Sequence, residues 1–314
     1  MTPAPGTLLV APHQFPDLAR EEALAAELGV ELVAAPDAAG FGSALPGAAV
    51  VMVTPYVRLE RHDLERMPGC LGVVRYGIGY DNIDVAAAAE LGVPVSIVPD
   101  ASSEEVASHA LALGLMLTRR IPQGQAAIAR GAWASAVPFD SPVLSRLRVG
   151  VIGMGRIGRR VATWWRDLGA DVRAHDPVAA FDAVPAADVD ELIAGSDVLS
   201  LHVPLTDATR HLVSADAIAR MPRGAVVVNV SRGGLVDEHA LADALRSGHL
   251  GGAGLDVFEH EPLATDHPLR SAPNAVLTPH SAWKARSSLD ALQAGAVARA
   301  RLLLQGEDPP DRVA

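Results

Sequence analysis

Cysteine is nearly missing: Cys70 is the only one in 314 residues. A single thiol excludes an intramolecular disulfide and any cysteine-based zinc cluster, and it fits a reducing compartment. Long apolar runs are missing too. Residues 110–117 form a clear one, far short of the roughly 18 residues needed to span a bilayer. The opening M-T-P-A-P-G has neither the basic nor the apolar segment of a signal peptide. The expectation is a cytoplasmic protein with no membrane partner. Basic residues are in deficit, 26 against 37 acidic, for a formal charge of −11. Phosphate backbones and anionic membranes call for a basic surface, so no nucleic-acid partner is expected. A local basic pocket for a small anion stays open.

What is present suffices for a large core. Apolar residues make up 49% of the chain and charged residues 20%, with a mean hydropathy of +0.22. That excludes an intrinsically disordered chain, and the length implies about two domains.

Residues 1–98 alternate short β-branched runs (7–11, 30–34, 49–53, 73–76, 93–98) with helical stretches at 21–28 and 84–91. The fourth run stops at a glycine turn, Gly77-Ile78-Gly79. A long helix follows over 104–119, and residues 121–147 read as a mixed connecting excursion. From Arg148 the pattern becomes regular, with strands at 148–152, 171–175, 197–202, 225–230, 251–256 and 275–278. A last helix spans 287–305. Strands alternating with helices predict α/β domains with doubly wound parallel sheets.

The strand 148–152 runs directly into Gly153-Met154-Gly155-Arg156-Ile157-Gly158, and Asp176 lies 18 residues beyond the last glycine. With 28 glycines a bare G-x-G-x-x-G carries little weight. Placed between strand and helix, with an acid at the next strand end, it predicts a dinucleotide site. Gly153 allows the tight turn, Gly155 lets the backbone approach a pyrophosphate, and Gly158 packs helix on strand. The helix N-terminus favours the phosphates. Asp176 can accept both ribose hydroxyls and would repel a 2′-phosphate, so NAD is expected over NADP. The plain alternative is a structural glycine turn with Asp176 capping the next helix.

Ligands of an open parallel sheet bind outside the carboxyl ends of its strands. Arg232, in Ser231-Arg232-Gly233-Gly234, follows one strand. Glu261 lies in the segment after Asp256, and His280 follows the strand 275–278. A proton donor near neutrality suits carbonyl reduction, a carboxylate beside it favours the imidazolium, and an arginine offers a planar fork for a substrate carboxylate. With 11 histidines in the chain, one alone is as readily a surface or cap residue.

The runs V-I-G-M-G-R-I-G, N-V-S-R-G-G-L-V-D-E, G-L-D-V-F-E-H-E-P and L-T-P-H resemble the D-isomer-specific 2-hydroxyacid dehydrogenases over nearly the whole chain. The resemblance implies a flavodoxin-like substrate domain (1–98 with 286–314) split around an inserted Rossmann NAD-binding domain (99–285). It implies His280 as general acid/base, Glu261 as its partner and Arg232 as the substrate clamp. R-Y-G-I-G-Y-D-N-I-D over 75–84 and His280-Ser281-Ala282-Trp283 are similar to the branch containing the C-terminal-binding proteins. That similarity implies Arg75 on the substrate carboxylate, with Tyr76, Gly77, Ile78 and Gly79 beside it, and Trp283 on an apolar side chain. Taken alone, Trp283 also reads as a core aromatic. Val230, Ser231, Arg232, Asp256 and His280 would meet the nicotinamide half. His202, Val203 and Pro204 would join the cofactor set, although His202 by itself, like His211, reads as structural or surface.

Departures exist. Ser108 stands where the wider family has glutamate, and Val106 where the closer branch has a cofactor-contacting threonine. Glu261 in place of glutamine argues against the formate dehydrogenases, and Asp176 argues against the NADPH-preferring glyoxylate reductases. The sequence ends soon after its last helix, so a serine-regulatory domain is not expected. Glu259-His260-Glu261 with His267 lacks a metal-ligand spacing, and no metal is expected.

Two functions follow: NADH-dependent reduction of a 2-oxo acid, or an NADH-sensing binding protein with little turnover. Trp283, Tyr76 and Tyr80 suggest an apolar or thioether substrate group. The surplus apolar surface of the 104–119 helix suggests a homodimer.

Overall fold

A computed structural model describes residues 6–138 and 141–314. The chain divides into two compact units, one up to Ser102 with Lys284–Ala314, the other Ser103–Trp283. Both are α/β units with parallel sheets.

The first unit contains β1 (Thr7–Val10), α1 (Ala19–Leu28), β2 (Glu31–Ala34), α2 (Ala38–Ala44), β3 (Ala48–Val53), α3 (Arg61–Glu65), β4 (Gly72–Arg75), α4 (Val85–Leu91) and β5 (Val95–Ile97). The strand order β2-β1-β3-β4-β5 is the flavodoxin-like arrangement. All six residues of β3 are buried, as a central strand covered on both faces requires. One face packs Leu9, Val51, Val53, Val73 and Val95 against Phe41, Leu45 and Leu64. Each fully buried side chain of this kind contributes about 1.5–3 kcal/mol. The helices α2 and α3 do not stand out in the sequence. The first has two glycines in seven residues and is started by Asp37, which accepts the Gly40 N–H at 2.7 Å.

The second unit opens with α5 (Ser103–Thr118) and α6 (Ile121–Ala129). The sequence reading of residues 121–147 as an irregular connection is corrected by α6. Pro122 and Gly124 disguise it, but proline in a first helical turn removes only an N–H that has no partner in the helix. The remaining elements are β6 (Arg148–Ile152), α7 (Arg156–Asp167), β7 (Asp171–His175), α8 (Val189–Gly195), β8 (Val198–Leu201), α9 (Ala215–Arg220), β9 (Val226–Asn229), α10 (Glu238–Arg246), β10 (Gly252–Leu255) and β11 (Ala275–Leu277). Their order is β11-β10-β9-β8-β6-β7. Successive connections run to opposite sides of β6, so a crevice is expected between the ends of β6 and β8. Helix α5 crosses α7 where Gly114 meets Trp165. A methyl group at 114 would lie 2.7 Å from the buried indole. The chain returns to the first unit through α11 (Arg286–Leu304). Among the described residues no helix is long and apolar enough to cross a membrane.

Candidate active site

The glycine turn stands at the β6 end of that crevice. Gly153 has φ +98°, and a Cβ there would strike the His202 carbonyl. Gly158 sits on the Gly153 carbonyl with no room for a side chain. These two glycines are demanded by the chain itself. Gly155 is not: its φ of −71° suits any residue, and a Cβ there would meet nothing within 4 Å. A glycine that neither conformation nor packing requires fits a surface kept bare for a ligand. Gly155 is also the N-cap of α7 and supplies no side-chain cap. Helix α7 therefore opens without a side-chain cap, the kind of helix start that suits an anion. The turn fits a dinucleotide pyrophosphate.

Asp176 follows β7. Its Oδ1 accepts the N–H groups of Val178 and Ala179 at 2.8 and 2.7 Å, and its Oδ2 accepts Met154 N–H at 2.7 Å. Burial pushes this carboxyl upward, but the N–H groups of Ala179, Met154 and Val178 outweigh it and hold it below 3.8. The carboxylate thus braces its own turn. Met154 requires a correction. Its side chain is fully buried and its N–H is taken by Asp176, so it belongs to the framework of the turn. Ile157 packs partly against the core beneath.

After β8, His202 donates to or accepts from Ser200 Oγ at 2.8 Å. Burial of its ring pulls it down to about 3, so it is neutral. It supports the Gly153 turn from below, Val203 is buried behind it, and Pro204 is exposed.

His280 and Glu261 are brought together. His280 Nδ1 lies 2.7 Å from Glu261 Oε2, and Glu261 Oε1 accepts Phe258 N–H at 3.0 Å. Burial raises the Glu261 carboxyl, but the hydrogen bond and charge of His280, the Phe258 N–H and the Arg232 charge hold it below 4.5. Nδ1 being engaged, Nε2 is the atom left for exchange; it has no hydrogen-bond partner among the described residues. Arg232 follows β9, and its Nη1 donates to Ser231 O at 2.7 Å. The next residue, Gly233, lies directly on the Phe258–Glu259 peptide, where a Cβ would collide with backbone. The arginine turn and the Glu261 loop are therefore in backbone contact.

Other residues hold these three in place, and the sequence reading missed several. Asn229 is buried at the end of β9; its Nδ2 donates to Arg232 O and its Oδ1 accepts Ser231 N–H. A polar residue closing the run V-V-V-N was the available signal. Ser231 Oγ donates to Leu201 O at 2.9 Å, and Val230 is buried. Asp256, read from the sequence as a cofactor contact, has a buried carboxylate that accepts Thr278 Oγ1–H at 2.5 Å, Ser281 N–H at 2.9 Å and Ala282 N–H at 2.8 Å. It fastens the loop in which His280 adopts φ +50°, and His109 Nε2 meets Thr278 Oγ1 at 3.0 Å. The Trp283 indole donates to His280 O at 3.1 Å and packs partly on the unit's core.

In the first unit Arg75 ends β4, is buried, and donates through Nη1 to Tyr76 O. Gly77 has φ +116°, and a Cβ there would lie 2.6 Å from that nitrogen. Ile78 is exposed, and Gly79 follows it. Tyr76 requires a second correction: it is 2% exposed and its hydroxyl donates to the buried Glu21 at 2.7 Å. Its side chain is core and cannot line a substrate pocket. Among the described residues no group of three or more His, Cys, Asp or Glu is placed to hold a metal ion.

Comparison with known proteins gives concordant matches. Residues 111–282 match the profile described as D-isomer specific 2-hydroxyacid dehydrogenase, NAD binding domain. The D-3-phosphoglycerate dehydrogenase of Mycobacterium leprae (strain TN) is 38% identical over 296 residues, 93% of this chain and 56% of that protein. The chain thus spans about half the length of this relative. A glyoxylate reductase of Korarchaeum cryptofilum (strain OPF8) is 36% identical over 264 residues, 81% of this chain and 79% of that one. Among solved structures, a D-lactate dehydrogenase from Aquifex aeolicus, complexed with NAD and lactic acid, superposes with a TM-score of 0.88. It is 29% identical and covers 96% of each chain.

Proposed function

Because the chain belongs to the D-isomer-specific 2-hydroxyacid dehydrogenase family, we propose that it catalyses the reversible, NAD(H)-dependent reduction of a 2-oxo acid to the D-2-hydroxy acid. The balance is one 2-oxo acid, one NADH and one proton to one D-2-hydroxy acid and one NAD⁺. The observation that carries this reading is the 2.7 Å contact between His280 and Glu261, with Arg232 on a turn touching the same loop. When bound, the nicotinamide supplies the hydride to the carbonyl carbon or receives it back. His280 supplies the proton: the imidazolium gives it from Nε2 to the carbonyl oxygen, and the neutral ring takes it in the oxidative direction. The ionised Glu261 fixes Nδ1 as the protonated nitrogen and stabilises the positive ring. Arg232 holds the substrate carboxylate with its guanidinium fork, and Arg75 is proposed as a further carboxylate contact.

The turn Gly153–Gly158 takes the pyrophosphate. The ionised Asp176 accepts ribose hydroxyls and repels a 2′-phosphate, which supports NAD as the cofactor. A panel of 2-oxo acids offered with NADH tests the reading; turnover abolished in His280→Ala with NADH binding intact is the expected result. A cytoplasmic location is proposed on the single cysteine and the lack of any membrane-crossing helix among the described residues. A homodimer is proposed as well, on a surface different from the one expected. Helix α5 buries Val106, Leu113 and Leu117 within the unit and packs Leu111 and Leu115 partly on the same core. Ile121, Ile128 and Trp133, on and after α6, are 51%, 56% and 77% exposed. A light-scattering mass of one chain would refute the dimer.

A further inference from the structure

Glu238 is the first residue of α10, yet it is only 5% exposed. Its carboxylate faces away from its own helix. Oε1 accepts the backbone N–H of Glu259 at 2.7 Å, and Oε2 lies 3.1 Å from His267 Nε2. His267 Nδ1 accepts Leu269 N–H at 3.3 Å, which makes Nε2 the protonated nitrogen and a donor to Glu238. Both carboxylate oxygens are therefore committed, one to the segment that precedes Glu261 and one to a brace that holds the carboxylate in place. His239 stacks at a tilt on His267, with ring centroids 5.5 Å apart.

The segment 258–261 is short and is held from several sides. Gly233 presses on the Phe258–Glu259 peptide. The Glu259 side chain reaches Arg210 at 3.1 Å and His211 at 3.5 Å. Two residues beyond the Glu259 N–H, Glu261 turns back to accept the Phe258 N–H and offers its other oxygen to His280. The arginine and histidine contacts on Glu259 involve exposed side chains and are weak constraints. The Glu238 contact is made to backbone by a carboxylate on a buried residue, so it dominates.

We infer that Glu238 is a positioning residue for the His280–Glu261 pair, acting through the Glu259 N–H and braced by His267. This rests on the acid–base role proposed for His280. Burial raises the Glu238 carboxyl and lowers His267. Glu238 touches neither substrate nor cofactor in this role; it sets where Glu261 stands.

The test compares wild type, Glu238→Met, Glu238→Gln and Glu261→Gln by steady-state kinetics and by NMR titration of the His280 imidazole. Glu238→Met keeps the side-chain volume and removes the acceptor. It is expected to lower kcat by about 10- to 100-fold, the scale of a slightly misplaced catalytic group, with the KM for NADH unchanged. The NMR titration of His280 should depart from wild type in the same sense as that of Glu261→Gln. Glu238→Gln keeps an acceptor for Glu259 and should recover most of kcat. The inference falls if the His280 midpoint is unmoved in Glu238→Met, whatever kcat does, or if kcat is unchanged. If no protein, wild type included, turns over any 2-oxo acid, the functional reading fails and the His280 midpoint alone decides the inference. Should Glu238→Met not fold, His267→Phe removes the brace; a change of the midpoint in the same sense as in Glu261→Gln supports the inference, and no change overturns it.

Discussion

Asp256 accepts the backbone N–H of Ala282 at 2.8 Å, so the loop carrying His280 is fastened to the residue that follows β10. The same carboxylate takes Ser281 N–H and the Thr278 hydroxyl, while its own backbone carbonyl accepts His280 N–H at 2.7 Å. Four bonds to one residue hold a histidine in the left-handed region, where few residues other than glycine rest comfortably.

Asp256→Ala should therefore harm folding and turnover together. It leaves the buried Ala282 N–H unpaired, at a cost of about 1–3 kcal/mol, along with two partly buried donors, and it frees the loop that carries His280. A large fall in melting temperature with a large fall in kcat is expected. A variant with wild-type stability would show that the loop is held by other contacts.

The glycines of the turn should separate by substitution. Gly158→Ala collides with the Gly153 carbonyl and is expected to destabilise the protein. Gly155→Ala meets open space at an ordinary φ, so melting should be unchanged while NADH affinity, measured by fluorescence titration, falls sharply. Unimpaired NADH binding in Gly155→Ala would place the pyrophosphate elsewhere.

Asp176 carries two effects with different readouts. Removing its charge in Asp176→Asn should narrow the preference for NADH over NADPH, read as the ratio of dissociation constants. The carboxyl is held below 3.8 in the folded protein. A depressed folded value gives stability that is present above the unfolded value and is lost as pH falls through the folded one. The stability gap between wild type and Asp176→Asn should hence persist near neutrality and shrink in acid below the ordinary carboxylate range. A gap that widens with acid contradicts this.

Cys70 should be a slow thiol. Burial pushes it up to about 11, outweighing a backbone hydrogen bond at Gly72 that pulls the other way. Thiolate is the reactive form, so a disulfide reagent at mildly alkaline pH should label the native protein slowly and the unfolded protein at once. Rapid native labelling would contradict the burial.

What the sequence made legible was set by local chemistry. The strands 148–152 and 171–175 and the turn between β6 and α7 are marked by β-branched runs and spaced glycines, and they occur where those signals lie. The strand-end positions of Arg232, Glu261 and His280 follow from the same periodicity. Features that depend on distant partners were not legible. Tyr76, read from the sequence as the end of the run 73–76 and as a substrate contact, lies just past β4, and only the fold shows Glu21 meeting its hydroxyl. Met154 looks like part of a ligand turn until Asp176 claims its N–H. Glu238 reads as an ordinary first-turn acid of α10, and its Glu259 partner lies 21 residues away.

The measurement that bears most directly on the account is NADH consumption by the wild-type protein and His280→Ala. The 2-oxo acids would be glyoxylate, pyruvate, hydroxypyruvate, 4-methylthio-2-oxobutanoate and phenylpyruvate, with the configuration of each chiral product determined. The account predicts turnover of at least one acid to the D-2-hydroxy product, lost by about 10²–10⁴-fold in His280→Ala while NADH still binds. No turnover despite NADH binding, an L product, or full activity in His280→Ala would contradict it.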